Sequence, residues 1–540
     1  MNYKPYSAKA CEYDEFILRG FCASNPSLSL SQEVILMFLQ ELSYYLLKLK
    51  DFGAKNDTIK ESFLEALSGI ITNIDYNDEQ FKNIVMVLAK DLSQAKILYS
   101  KFCTENNVEF SFLKSSFKNV QNSSVSDLIK KGEKHYINRN IEFTLEQKNL
   151  FDIIILLAKR LCLKIIQIRS YKKDYEKAYE TILKLLNTLN LDKFSVKEIK
   201  KTIETCHLEY SALMKALYNA QEEAHGKRES VYIPFSPRNG KAILVSGIDM
   251  VQLETVLKAT KNRGIDVYTH GMTMLMAHTL ANFRKYPHLV GHFGKGTDNS
   301  LFDFAAFPGA ILMTRYLFQK IEYLYKGRLF TTDTFAPSGI IKIVDNNYEP
   351  LIQAALHAKG FTKKQQELIL RVGFRQKEME EKTQEIIKKM ENNEIKHLYF
   401  IGILKHESEY KAYFDKFLEL MPKDCFAISL SHDKNTENIL HVDSFYDYLF
   451  IYKIFEKINE LKPVSEFKIT IFITKCDQYT ITNIINFINL GIKSIYLSDC
   501  LPSLVNPAMF ETLKKVFSIK SFSNPRDDLK ATLAEPKKEK

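Results

Sequence analysis

The groups best able to do chemistry in this chain are imidazoles, thiols and a few carboxylates. Four of its 12 histidines, His270, His278, His288 and His292, crowd into one stretch. Imidazoles at that density invite a zinc or iron reading. Further on, His432, Cys476 and Asp477 offer nitrogen, sulfur and oxygen donors. Neighbours on a strand point to opposite faces, so Cys476 and Asp477 are not expected to bind one ion together. The favoured reading there is an ordinary buried histidine and a solvated aspartate. A single zinc or iron at His432 and Asp477 is the weaker alternative.

The 8 cysteines, Cys11, Cys22, Cys103, Cys162, Cys206, Cys425, Cys476 and Cys500, are scattered and form no Cys-x-x-Cys. A disulfide scaffold is not expected at this size, and no pair has zinc-ribbon spacing. No Gly-x-Gly-x-x-Gly follows a strand-like run, and there is no phosphate-binding Gly-Lys-Ser/Thr loop. Gly291-His292-Phe293-Gly294-Lys295-Gly296 is glycine-rich but matches neither motif.

The elements that must position these groups fall in a clear order. The chain has 540 residues, enough for three or four domains at about 150 residues each. Apolar residues make up 45% and charged residues 26%, as in ordinary folded proteins. The net charge of +10 is mild for this length, and only short basic clusters such as Lys118 to Lys134 occur, so nucleic-acid binding is not expected. The many tyrosines and the absence of tryptophan fit AT-rich coding. Met1 to Ala10 lacks an apolar signal core. The most apolar run, Ile153 to Ala158, ends at Lys159-Arg160, far short of the ~20 residues that span a bilayer. An intracellular, cytoplasmic protein is expected.

Residues 1–227 read as a helical bundle. Ser29 with Gln32 is a capping-box pattern, and apolar residues from Val34 to Leu46 recur at helical spacing. Similar stretches run over Phe63–Ile74, Phe81–Leu98, Leu145–Ile168 and Tyr175–Leu189. A breaker-rich linker with Pro234, Pro237 and Gly240 opens residues 228–375. There, short apolar runs (Ala242–Val245, Ile265–Tyr268, Ala310–Met313, Ile340–Val344) alternate with helical stretches such as Val251–Thr260 and Thr273–Lys285, the pattern of a parallel sheet with crossover helices. The charged stretch 376–396 reads as a linker helix. Strand-like runs resume over residues 397–525, at Leu398–Ile403, Phe426–Leu430, Lys468–Ile473 and Ser494–Leu497. Residues 526–540 read as a polar, frayed tail. The fold class is multidomain α plus α/β: a helical bundle followed by two Rossmann-like α/β domains with mainly parallel sheets.

Three strings carry a resemblance. They are Gly264-Ile265-Asp266-Val267-Tyr268-Thr269-His270-Gly271, Arg284-Lys285-Tyr286-Pro287-His288-Leu289-Val290-Gly291 and Phe307-Pro308-Gly309-Ala310-Ile311-Leu312-Met313-Thr314. In this order and at these separations they resemble the hybrid-cluster proteins, also called prismane proteins or hydroxylamine reductases. Gly327 to Thr331 and Asn489 to Lys493 add fainter echoes. The resemblance spans nearly the whole chain and implies the same three-domain fold. It also makes His270 and His288 structural parts of family strings.

The family carries an N-terminal iron–sulfur cluster and a hybrid iron–sulfur–oxygen cluster at the junction of its domains, and reduces hydroxylamine or related nitrogen oxides. Such a centre needs soft thiolates, with imidazole and carboxylates on its open side. The resemblance places the family's histidine ligand, in a Gly-His-Asp-Leu string, at Ile248. It places the first glutamate at Met272 and the first cysteine at Leu317. The other cysteines fall at Leu404, His432 and Phe445, and the last glutamate at Asp477. At the N-terminus only Cys22 sits in a family-like position, with Cys11 a second candidate, and two thiolates do not hold a cubane.

Of the seven hybrid-cluster positions only the acid survives, one methylene shorter. The chain is therefore expected to carry no cofactor, with an iron–sulfur cluster, or a single zinc or iron, as the alternatives. Ile248, Met272, Leu317, Leu404 and Phe445 are expected to fill the space a cluster would occupy, since voids cost about 24 cal/mol per Å³. The expected function is that of a cluster-free pseudoenzyme acting as a structural or interaction protein, with a protein partner and an oligomer compatible with it. The basic helical domain is the expected contact region, and no membrane association is expected. The alternative is an oxidoreductase of the hydroxylamine reductase family, reducing hydroxylamine or nitric oxide at an altered metal centre.

Overall fold

The computed structural model describes residues 26–54, 56–71, 77–113, 120–190, 195–294, 300–314, 323–333, 336, 339–362, 367–373, 376–401, 408–429, 437–441, 448–461, 463–474, 478–497 and 507–534. The N-terminal part is helical: α1 (Pro26–Asp51), α2 (Asp57–Gly69), α3 (Asp78–Glu105), α4 (Val125–Glu142), α5 (Leu145–Arg169), α6 (Glu176–Thr188) and α7 (Val196–His225). Ser29 and Gln32 lie inside α1, so their pattern is not a helix start; helix-compatible Leu28 and Leu30 continue the element around them. The capping boxes that do form are Asn77/Gln80, Ser124/Asp127, Thr144/Gln147 and Ser195/Glu198. Each pairs two otherwise unsatisfied backbone donors with side chains. Helix α5 is buried on nearly all sides, as an all-round apolar helix must be, and packs against α2, α6 and α7.

After β1 (Val231–Pro234), which pairs with β8 (Ile369–Val372) in a small sheet, comes the first α/β region. It contains β2 (Lys241–Gly247), α8 (Met250–Thr260), β3 (Ile265–His270), α9 (Met272–Ala277), β4 (Leu289–His292), α10 (Ser300–Ala306), β5 (Ala310–Thr314), α11 (Tyr323–Lys326), β6 (Leu329–Thr331), β7 (Ile341–Lys342) and α12 (Glu349–His357). The strand order is β4-β3-β2-β5-β6-β7, with every neighbouring pair parallel. Strand β2 is buried on both faces, which explains its unbroken apolar run. Ile243, Val245, Val267 and Leu312 pack against Leu253 and Val256 of α8 and Leu351 of α12.

The third region holds α13 (Gln376–Glu391), β9 (His397–Ile401), α14 (Ser408–Leu420), β10 (Cys425–Ser429), β11 (Ile439–His441), α15 (Tyr448–Leu461), β12 (Ile469–Ile473), α16 (Gln478–Asn489), β13 (Ser494–Leu497), α17 (Pro507–Phe517), β14 (Lys520–Ser521) and α18 (Pro525–Leu533). Its order, β11-β10-β9-β12-β13-β14, repeats that of the first sheet. Both are the 3-2-1-4-5-6 order of doubly wound folds. The tail expected from Arg526 is corrected here. Residues up to Leu533 form α18, capped by the Asn524 side chain, with Leu529 in the core and Asp528 bonded to Ser523 and Tyr413. Its apolar anchors, Leu529 and Leu533, are too few to register as helical periodicity.

By packing, the chain divides into two compact units: Met1–Lys227 with Val231–Arg371, and Val372–Lys540 with Arg228–Ser230. Within the first unit the helical domain bonds directly to the first sheet region. Gln80 Nε2 donates to the Ala336 carbonyl at 2.8 Å, and the Asn282 amide donates to the His225 carbonyl at 2.7 Å. No described helix is long and apolar enough to cross a membrane.

Candidate functional site

In sheets of this order, ligands sit at the carboxyl ends of the strands where the order reverses, here between β2 and β5. The chain leaves β2 through Gly247-Ile248-Asp249. Gly247 has φ +116°, and a Cβ there would lie 2.0 Å from the Thr314 carbonyl oxygen, so the position demands glycine. The Ile248 amide donates to that carbonyl at 3.0 Å, and the Asp249 amide donates to Thr314 Oγ1 at 3.3 Å. Thr314 Oγ1 in turn donates to the Ser246 carbonyl at 3.1 Å. The turn is thereby clamped to the end of β5.

Asp249 starts α8 by accepting from the Val251 and Gln252 amides at 3.0 and 3.1 Å. Its second oxygen accepts from Ser170 Oγ at 2.9 Å. Gln167 of α5 donates its amide to the Ile248 carbonyl at 3.3 Å, and its own oxygen accepts from Lys164 Nζ at 3.0 Å. The helical domain thus grips the turn through its backbone and through Asp249. The Ile248 side chain is 6% exposed and offers no donor to a metal.

The histidine stretch resolves into hydroxyl-linked pairs. His270 is fully buried; its Nδ1 shares a hydrogen bond with Ser246 Oγ at 3.0 Å, and its Nε2 lies 3.3 Å from Asp303 Oδ2. Thr269 Oγ1 bridges His278 Nε2 and His292 Nδ1, each at 2.9 Å. One hydroxyl proton serves only one of them, so at least one imidazole donates to Thr269. Burial pushes His278 down to about 4, and it is neutral at physiological pH. His288 donates from Nε2 to the Leu257 carbonyl at 3.0 Å, and burial lowers its pKa too. These imidazoles tie β3, β4 and their flanking helices together.

Among the described residues, no three His, Cys, Asp or Glu side chains gather in a way that could hold a metal ion. The described thiols, Cys103, Cys162, Cys206 and Cys425, are all buried. Burial pushes Cys206 and Cys425 up to about 12, with Asp424 adding to the effect at Cys425. Of the positions assigned by resemblance, Ile248 is on the turn after β2, and Met272 opens α9 just after β3. Leu317, Leu404, His432, Phe445, Asp477 and Cys22 lie outside the described residues, as does Cys476. What the described residues offer at the Gly247–Asp249 turn does not fit an iron–sulfur cluster.

Sequence reasoning passed over Lys164, Gln167 and Ser170. The signal available was polar residues persisting in a helix otherwise buried all round. It also passed over His397 in the other sheet, which is buried, stacks on Tyr399 and shares a 2.8 Å hydrogen bond with Thr470 Oγ1.

Comparison with known proteins matches residues 7–432 to the Prismane/CO dehydrogenase family. The chain is 25% identical to a hydroxylamine reductase of Methanocella arvoryzae over 96% of its own length and 97% of the relative's. It is 27% identical to a hydroxylamine reductase of Thermodesulfovibrio yellowstonii, with 95% and 97% covered. Among solved structures it is similar to carbon monoxide dehydrogenase IV of Carboxydothermus hydrogenoformans, at TM-score 0.48 and 10% identity, covering 94% of this chain and 86% of that one. With residues 7–432 matched by the family model, this chain belongs to the Prismane/CO dehydrogenase family.

Proposed function

We propose that this family member works without iron–sulfur clusters, as a pseudoenzyme whose role is structural or lies in binding a protein partner inside the cell. The observation that carries the reading is Ile248. The turn that would present the histidine ligand keeps its glycine, its clamp on Thr314 and its capping aspartate. The one group that would reach a metal is an aliphatic chain. Iron–sulfur centres are held by thiolate, imidazole or carboxylate, and no rotamer of isoleucine supplies these. The sequence gives the same picture at Met272, Leu317, Leu404 and Phe445, where no soft anionic ligand stands. Apolar groups at such positions remove the void that a missing cluster would leave.

The second reading, reduction of hydroxylamine or nitric oxide at an altered centre, is favoured by the end-to-end match to chains named hydroxylamine reductase. Iron and acid-labile sulfide in protein purified without oxygen decide between them. A folded protein with neither supports the cluster-free reading. Several irons with sulfide in each chain would overturn it and restore the reductase. One zinc or iron without sulfide, lost on His432→Ala, would replace it with a mononuclear site at His432 and Asp477.

A further inference from the structure

We propose that the face of α5 carrying Arg160, Lys164 and Gln167 binds a small oxyanion, held by the Lys164 ammonium beside the Gly247–Asp249 turn. Arg169, on the same helix, is paired with Glu61 and Glu65, and Lys60 with Asp57 and Glu176. Lys164 has no such partner among the described residues. Its single hydrogen bond goes to the neutral Gln167 oxygen at 3.0 Å. The charge that acts on it is another cation, Arg160, one turn earlier on the same face.

Burial and Arg160 together push the Lys164 amine down to about 7. A cation desolvated without a counter-ion either loses its proton or acquires an anion. The hydrogen bonding is compatible with the second outcome. Gln167 has its orientation fixed, because its Nε2 donates to the Ile248 carbonyl and only its oxygen faces Lys164. An ammonium has three N–H groups, and Gln167 takes one, so the other two are available to an incoming acceptor. Lys164 is partly rather than fully buried, which lets a small solute reach it. A polyanion such as nucleic acid would need an exposed basic surface, whereas Arg160 and Lys159 beside it are buried. An oxygen anion matches the donors better than chloride, because it accepts several directed hydrogen bonds at once. The inference is independent of whether the chain carries a cluster, since it rests only on groups of α5 and the backbone of the turn.

The test uses the full chain and inorganic phosphate as probe, followed by equilibrium dialysis at fixed ionic strength. The expected result is saturable binding that sulfate displaces and chloride does not, weakened at least about tenfold by Lys164→Gln and retained by Lys164→Arg. A readout on the unaltered protein covers the case in which the glutamine variant does not fold. Cyanate modifies neutral amines, and peptide mapping should find Lys164 modified several-fold more slowly with phosphate present, while exposed Lys101 is unaffected. Absence of saturable binding, equal binding by a folded Lys164→Gln variant, or modification of Lys164 at the same rate with and without phosphate would each overturn the proposal.

Discussion

The two sheets share one strand order yet are furnished differently. In the first, the carboxyl ends of β2, β3, β4 and β5 meet in a buried polar web: Ser246, Thr269, His270, His292 and Thr314, bonded to one another or to the backbone. In the second, one face of the sheet is an aromatic stack. Phe472 lies against Tyr399, Phe414, Phe417, Tyr496 and Phe522, with ring centroids 4.9 to 6.3 Å apart. The same topology therefore tolerates either a directional or a non-directional filling. Parallel strands buried on both faces fix the order, and the side chains near their ends are free to specialise. The first sheet keeps a geometry that hydrogen bonds define residue by residue, while the second keeps volume.

That contrast predicts a graded set of responses. The largest is expected where volume matters most. Phe472→Ala should cost about 4 kcal/mol, read as a lower midpoint in urea, and a loss below about 1 kcal/mol would show that the stack repacks freely. Next, Gly247→Ala in the first sheet should cost about 3 kcal/mol, because it adds backbone strain and a clash with Thr314. Gly491→Ala in the second (φ +95°, nearest non-neighbour atom 3.2 Å away) should cost clearly less. Equal losses would remove the claim that the first turn is the more tightly built.

Acid should test both halves at once. His278 and His397 are each pushed down to about 4 by burial, with Lys468 adding to the effect at His397. A histidine with a lowered folded pKa takes up its proton more readily once unfolded. Its stabilising contribution is complete above about 6.5 and is lost as pH falls from there to about 4. By pH 5 each site should have given up about 2 kcal/mol. His278→Gln and His397→Gln should each flatten part of the pH dependence of unfolding, and a profile flat from pH 7 to 5 in the parent protein would contradict the burial. The smallest effect is expected from Ser170→Ala, which removes one hydrogen bond to Asp249 and should cost about 1 kcal/mol, measured by thermal unfolding.

Much of this architecture was legible in the sequence, and the misses have physical causes. The central strands β2, β3, β5, β9, β10, β12 and β13 announce themselves as apolar runs, because both faces are covered. The run Ile340–Val344 shrinks to the two residues of β7, while β14 has only two residues and β6 and β11 have three. Such lengths leave no periodicity to detect. The helical stretch read over Thr273–Lys285 is broken, since α9 ends at Ala277 and turns carry the chain to Phe283. Strand order was not readable, because it depends on which way each crossover turns. At the site, the resemblance put Ile248 just before the first α/β helix, and the chain there turns from β2 into α8. Lys164 stayed hidden because an apolar helix with a few charges reads as core, and only the fold reveals that it has no carboxylate beside it among the described residues.

The bond from Gln167 to Ile248 ends on a carbonyl oxygen, an atom every residue carries. What holds the turn is therefore indifferent to the side chain at position 248, and that side chain could change in evolution without loosening the joint. A side-chain exchange there is thus one step that leaves the joint itself intact. The same property makes the step reversible: Ile248→His would present an imidazole from a backbone already in place.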